Sequence, residues 1–257
     1  MRASNPIPQE RISDYVERIL VLENFNVITP FSLPLFANGT PTLLFLTSKA
    51  TIDNKRASYL TLFGQTVFPE TLTINNNFTM IAYFFKPFSL FSLFGVSAKE
   101  LTDYPIDLNL LSQSKANELQ ERLLNAENTE TMLTLLNDFI FSLITKKNAE
   151  KEIIKCATAF IANSPSKESL IMVQDKLSMT ERTFERMFEK NIGISPNLFR
   201  RICQFNTAFQ QLNTRQFSKL SDLAFQNGYA DQSHFIRAFK EFTNITPKEY
   251  IKFAQGD

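Results

Sequence analysis

Glycine, histidine, cysteine and tryptophan are all scarce in this chain. Of 257 residues, 6 are Gly, 1 is His, 2 are Cys and none is Trp. A chain of this length with average usage would carry roughly 18 Gly. Glycine-rich loops that bring backbone N–H groups onto phosphates are therefore nearly excluded. One His leaves no spare for a Ser-His-Asp triad, a zinc site with two His, or the non-haem iron triad. Two Cys cannot build a four-cysteine zinc site or a disulfide framework. Little catalysis is compatible with this inventory, and neither a cofactor nor a metal is expected.

What is present suits a globular protein. Hydrophobic residues make up 44% and charged residues 21%, with 26 Phe, close to ordinary values apart from the Phe excess. The length suggests two domains or one large one. No run of 18 apolar residues occurs; the densest stretch, Phe78 to Phe94, is broken by Lys86 and Pro87, so no membrane span is expected. The first fifteen residues lack the apolar core of a signal peptide. Cys156 and Cys203 sit among apolar neighbours and read as buried free thiols in a reducing cytosol. A net charge of +1 hides an asymmetry: residues 1–150 carry 12 Lys and Arg against 15 Asp and Glu, residues 151–257 carry 15 against 11. An acidic half followed by a basic half fits a sensor joined to a nucleic-acid binder.

The first hundred residues read as strands and turns: Thr42 to Thr47 after the turn Asn38-Gly39-Thr40-Pro41, Tyr59 to Phe68, Thr71 to Ile74, and Phe78 to Phe85. Asn75-Asn76-Asn77 reads as a hairpin loop, because Asn tolerates positive φ. Short strands at regular spacing indicate an antiparallel sandwich or barrel. Phe88 to Phe94 reads as a short helix stopped by Gly95. Met132, Leu135, Leu136, Phe139, Ile140 and Leu143 form a helical stripe, placed either on the sheet or at a dimer interface. Thr145 to Glu152 is the candidate linker. From 152 onward the pattern is all helical.

An internal repeat runs through this last part. Phe184-Glu185-Arg186-Met187-Phe188 is matched by Phe235-Ile236-Arg237-Ala238-Phe239, and Gly193-Ile194-Ser195-Pro196 by Asn244-Ile245-Thr246-Pro247, at a constant offset of 51 residues. Each copy reads as a helix, a tight turn, a second helix, and a turn into a helix opening with Pro. Ser178-Met179 forms the first turn, with Thr180 as cap. Asn227-Gly228-Tyr229 forms the second, with Asp231 as cap. This is helix-turn-helix twice over. The Phe of each second helix faces inward and its Arg outward, where a guanidinium can donate twice to guanine O6 and N7.

Asp222-Leu223-Ala224, Gly228-Tyr229, Asp231-Gln232-Ser233-His234-Phe235, Arg237, Phe239-Lys240 and Thr246-Pro247 with Tyr250 resemble the signature of the AraC/XylS family of bacterial transcription regulators. The resemblance covers about residues 152–253. Asn244 departs from the family's usual Gly, but Asn also tolerates the left-handed conformation. Asn38-Gly39, Gly64-Gln65, Phe85-Lys86-Pro87 and Leu101-Thr102-Asp103 before Ile106-Asp107-Leu108 resemble the N-terminal domain often fused to such regulators. That resemblance implies a small cupin-like barrel with helices, used for effector binding, dimerisation or both.

By position, Thr180, Arg182, Glu185, Arg186 and Lys190 in copy one, and Gln232, Ser233, His234, Arg237 and Lys240 in copy two, are the candidate DNA-binding residues. Arg200 and Arg201 join Lys190 and Lys240 as phosphate candidates. The plainer alternative is a solvated face holding pairs such as Arg182–Glu185 and Arg186–Glu189. The Phe-rich stretch from Phe63 to Phe94 reads either as ordinary core or as the lining of an apolar effector pocket.

The expectation is an α+β N-terminal cupin-like barrel with helices (1–148), followed by an all-α DNA-binding domain with two helix-turn-helix units (149–257). The family resemblance implies a cytoplasmic regulator, most often an activator. Its expected partners are double-stranded promoter DNA, RNA polymerase, a small apolar effector and a second copy of itself. A cupin metalloenzyme would need His ligands, and residues 1–150 contain none. The alternative is an architectural DNA binder or interaction protein with no small-molecule effector.

Overall fold

The computed structural model describes residues 1–111, 113–144, 149–215 and 217–255. Its N-terminal half contains ten strands: β1 (Arg2–Ser4), β2 (Val16–Asn24), β3 (Phe31–Leu35), β4 (Thr42–Leu46), β5 (Ala50–Ile52), β6 (Lys55–Ala57), β7 (Leu60–Phe63), β8 (Glu70–Ile74), β9 (Phe78–Phe85) and β10 (Ile106–Asp107). They form two antiparallel sheets, ordered β1-β2-β9-β4-β7-β10 and β3-β8-β5-β6. The expected cupin-like domain is thus built as two separate ladders. Asp53 and Asn54, at φ 44° and 65°, turn β5 into β6, the two-residue turn whose twist matches its strands.

The central strands of the larger sheet, β4 and β9, are buried on both faces. Leu44, Leu46, Phe78, Met80 and Ala82 meet Ile52, Leu72 and Ile74 of the smaller sheet. The alternate residues Leu43, Phe45, Ile81, Tyr83 and Phe85 face the helices. Doubly buried strands lose the apolar–polar alternation of half-exposed ones. The expected hairpin at Asn75-Asn76-Asn77 is corrected by this layering: β8 pairs with β3 and β5, and β9 pairs with β2 and β4. Both strands carry apolar side chains for one shared layer, so they face each other across it and the loop crosses between sheets.

Helix α1 (Ser89–Phe94) ends at Gly95 in the left-handed region. Helices α2 (Gln113–Leu124) and α3 (Thr129–Leu143) follow. The stripe on α3 packs inward, with Leu136 and Ile140 fully buried. The Tyr83 hydroxyl donates to Asn137 Oδ1 at 2.8 Å. Packing on the sheet, not a dimer interface, accounts for that face.

The rest is helical: α4 (Ala149–Asn163), α5 (Lys167–Leu177), α6 (Glu181–Ile192), α7 (Pro196–Asn213), α8 (Leu220–Gln226), α9 (Gln232–Thr243) and α10 (Pro247–Gln255). Of the expected linker, Thr145, Lys146, Lys147 and Asn148 lie outside the described residues. One apolar core runs on from the sheet through α3 and α4 to α9. Cys156 is exposed, which corrects the expectation of a buried thiol. The buried stripe of α4 is Ile154, Ala157, Thr158 and Ile161, and Cys156 falls outside it. Among the described residues no helix is long and apolar enough to cross a membrane.

Candidate nucleic-acid interface

Helices α5 and α6 form one helix-turn-helix, α8 and α9 the other. Ser178, at φ 51°, closes α5 in the left-handed region. Thr180 then caps α6, its side chain accepting from Thr183 N. In the second unit Gly228 takes φ 72°, and Asp231 Oδ1 accepts from His234 N at 2.7 Å to start α9. Asn244 closes α9 at φ 63°, the conformation a Gly would otherwise supply. Phe184 and Phe188 in α6, and Phe235 and Phe239 in α9, are fully buried. The buried residues take one side of each second helix, and its polar face is turned outward.

Arg182, Glu185 and Arg186 lie on that exposed face of α6, and Ser233, His234, Arg237 and Lys240 on that of α9; Gln232 is half-buried. No hydrogen bond or ion pair holds Arg182, Glu185, Arg186 or Arg237 among the described residues. The alternative Arg186–Glu189 pairing does not form, because Glu189 is taken by Lys99 at 3.0 Å. Lys190 is exposed, its Nζ 5.1 Å from the centre of the Phe91 ring. His234 Nδ1 accepts from Ala230 N at 3.4 Å, which leaves Nε2 to donate outward.

Two phosphate candidates are placed differently. Arg200 is 8% exposed. Its guanidinium bonds Asn197 Oδ1, Pro165 O and Gln204 Oε1, so it braces α7 against the turn before α5. Arg201 pairs with Glu241 of α9. Helix α7, capped by Ser195 and opened by Pro196, spans 18 residues, about 27 Å at 1.5 Å per residue.

Sequence reasoning missed how the N-terminal half holds α6. A 3-10 turn at Ala98–Leu101 docks on the helix end. Thr102 Oγ1 donates to Gly193 O at 3.1 Å. A Cβ on Gly193 would stand 2.6 Å from the Ala98 carbonyl oxygen. Elsewhere Asn206 Nδ2 donates to Asn38 O at 3.0 Å, and Phe36 packs edge-on against Phe209 and Tyr250. The only sequence signal was Gly193 itself, which reads equally well as a turn residue.

The two halves also share a cavity of about 880 Å³. The sandwich contributes Leu35, Leu44, Met80 and Phe84; α4 contributes Thr158, and α7 contributes Cys203 and Phe209. The Phe-rich stretch divides accordingly. Phe63, Phe84 and Phe88 line the cavity, whereas Phe78 and Phe85 are closed core. Arg18 reaches into it with its guanidinium 3.4 Å from the Phe84 ring centre. Arg18 is exposed as a whole residue, but partial burial of its guanidinium lowers its pKa from the ordinary value, against the opposing charge of Glu17.

Residues 174–252 match a helix-turn-helix domain family, and residues 5–107 match a domain of unknown function. An uncharacterised HTH-type transcriptional regulator of Haemophilus influenzae is 26% identical over 148 residues, 52% of this chain and 49% of that protein. One from Staphylococcus aureus is 29% identical over 82 residues, 32% of this chain and 11% of that protein. The chain thus spans half or less of the length of these relatives. Among solved structures, ToxT from Vibrio cholerae O395 is 15% identical, with a TM-score of 0.49 over 93% of this chain and 97% of that one. An unsaturated fatty acid-bound ToxT gives 14% and 0.45 over 91% and 93%. The repeated signature, the two helix-turn-helix units built on it and the family match across both second helices together show a helix-turn-helix domain of AraC type over residues 174–252, similar to that of HTH-type transcriptional regulators.

Proposed function

We propose that the chain reads two successive major-groove segments of a promoter, α6 in one and α9 in the next, and that a small effector in the shared cavity controls this. The observation that carries the reading is a pair of exposed arginines at equivalent places in two copies, Arg186 and Arg237, neither held by an ion pair among the described residues. Consecutive major grooves on one face of DNA lie about 34 Å apart, a distance a rod the length of α7 and its flanking units can bridge. Thr180, Arg182, Glu185, Gln232, Ser233 and His234 complete the base-side set, with Lys190 and Lys240 toward phosphates. Residues 1–148 act as sensor and 149–257 as DNA-binding domain. The regulator works in the cytoplasm, as an activator beside RNA polymerase, alone or as a homodimer. The effector has a mainly apolar body, for the lining, and an anionic end, for Arg18. Selection of sites from random duplexes tests the DNA reading. It should enrich a bipartite motif, protected in footprints on two successive grooves; no enrichment, or protection of one groove only, would defeat it.

A further inference from the structure

A second, smaller cleft lies between the two helix-turn-helix units. Its volume is about 350 Å³, and its walls come from the start of α5, from α7, and from the turn into α9. The ionisable residues around it are Lys167, Glu168, Arg200, Arg201, Tyr229 and His234. Glu168 is turned onto its own helix start, where a backbone N–H and Ser166 hold its carboxyl below the usual range. That leaves the basic side chains in excess. Arg200 is fixed by its three partners and Arg201 by Glu241, so their charges stay beside the cleft.

Tyr229 is the anomaly. It is 4% exposed, and its hydroxyl is buried with no hydrogen-bond partner among the described residues. The ring is pinned between His234 and Phe235, at 5.3 Å from each. A buried hydroxyl is ordinarily bonded, and an orphan needs a cause. Here it lies within the fields of Arg200, Arg201 and Glu241, beside an outward-donating His234 Nε2 and the exposed Lys167 ammonium. The Glu241 carboxylate is held by Arg201, so the groups left to meet a ligand are donors. A tetrahedral oxyanion is the ligand that donors alone would hold.

We propose that this cleft seats one phosphate of the DNA backbone, in the stretch that passes between the two major-groove segments. The proposal rests on the DNA reading above. When α6 and α9 occupy consecutive grooves, the backbone between them must pass the joint where the cleft lies. Lys167, His234 and the Tyr229 hydroxyl donate, and Arg200 and Arg201 supply field. A free phosphate ion offers the same chemistry, so the test separates the two.

The full chain is measured against a selected duplex and a random one, over a range of salt. Tyr229→Phe should keep its thermal stability, since only an unbonded hydroxyl is lost. It should weaken binding roughly 10-fold, one hydrogen bond to a charged group, by equal factors on both duplexes and with an unchanged salt slope. Lys167→Gln should weaken both equally and reduce the slope by about 1. A neutral methylphosphonate scanned through the spacer should weaken the wild type at one position, and there cost Tyr229→Phe much less. If every position costs both proteins the same, or if Tyr229→Phe melts markedly lower, the seat does not exist. Inorganic phosphate at constant ionic strength should neither raise the wild-type Tm nor displace DNA. If it does so for wild type and not for Tyr229→Phe, the cleft is a free-anion site and the backbone assignment is overturned. A wild type that binds neither duplex overturns the DNA reading and this inference together.

Discussion

Arg186 and Arg237 occupy one position in two copies of one motif, and each points away from the Phe that anchors its helix. Base readout and phosphate contact by such a residue differ in what they cost. A bidentate contact to guanine is worth about 1–3 kcal/mol of discrimination, whereas a phosphate contact weakens all sequences alike. Arg186→Ala and Arg237→Ala should each lose about 1–3 kcal/mol on the selected site and far less on random duplex, by titration at fixed salt. Equal losses would make both arginines positioning contacts. The cysteines supply a second residue-scale expectation. Burial pushes the Cys203 thiol up to about 12, so almost no thiolate, the reactive form, exists near pH 8. Iodoacetamide should label exposed Cys156 rapidly and leave Cys203 intact until the chain unfolds, by peptide mass. Modification of both at one rate would mean that Cys203 is not buried in the cavity wall.

At the scale of elements, the helix-turn-helix units were legible because every signal in them is local. A cap, a left-handed turn residue and a two-Phe stripe each lie within one turn of the residue they constrain. The sandwich was less legible. Thr42–Leu46 and Phe78–Phe85 are buried on both faces, so no alternation told which face met which sheet, and Asn75 to Asn77 passed for a hairpin. Arg200 was misplaced for a related reason: nothing beside it in sequence announces Pro165 O, 35 positions away. Nor did the sequence show that α6 has a second neighbour. Gly193, at φ 96°, has no room for a methyl group between Ala98 and Thr102. Gly193→Ala should cost about 1–3 kcal/mol from left-handed strain, read as a lower denaturant midpoint. It should also loosen the docking of the N-terminal half on α6, read as faster proteolysis between the halves. Unchanged stability and cleavage would show that the close approach is not maintained.

For the whole molecule, the effector site proposed above depends on a wall that both halves build. Phe209 and Cys203 belong to α7, and Met80 and Phe84 to the sandwich, so neither half closes the site alone. A long-chain carboxylate, chosen for an apolar body and anionic end, should stabilise the full chain. At 100 times its Kd, the linkage gain is about 2.7 kcal/mol, roughly 5–10 °C in Tm for a chain of this size. Arg18→Leu keeps the lining apolar and should lose most of that shift. A shift of the same size in Arg18→Leu would remove the anionic end from the reading.

The grip on α6 has a counterpart that is missing on α9. The turn at Ala98–Leu101 and Thr102 hold the end of α6, while no hydrogen bond or ion pair from the N-terminal half reaches α9 among the described residues. On the proposed function, a signal from the N-terminal half would enter the operator at one end. In a genetic cross of pocket variants with operator variants, epistasis should be one-sided. Base changes under α6 would mask the pocket phenotype, and base changes under α9 would simply add to it. A promoter could then set how strongly it listens to the effector by the quality of a single half-site, without any change in the protein.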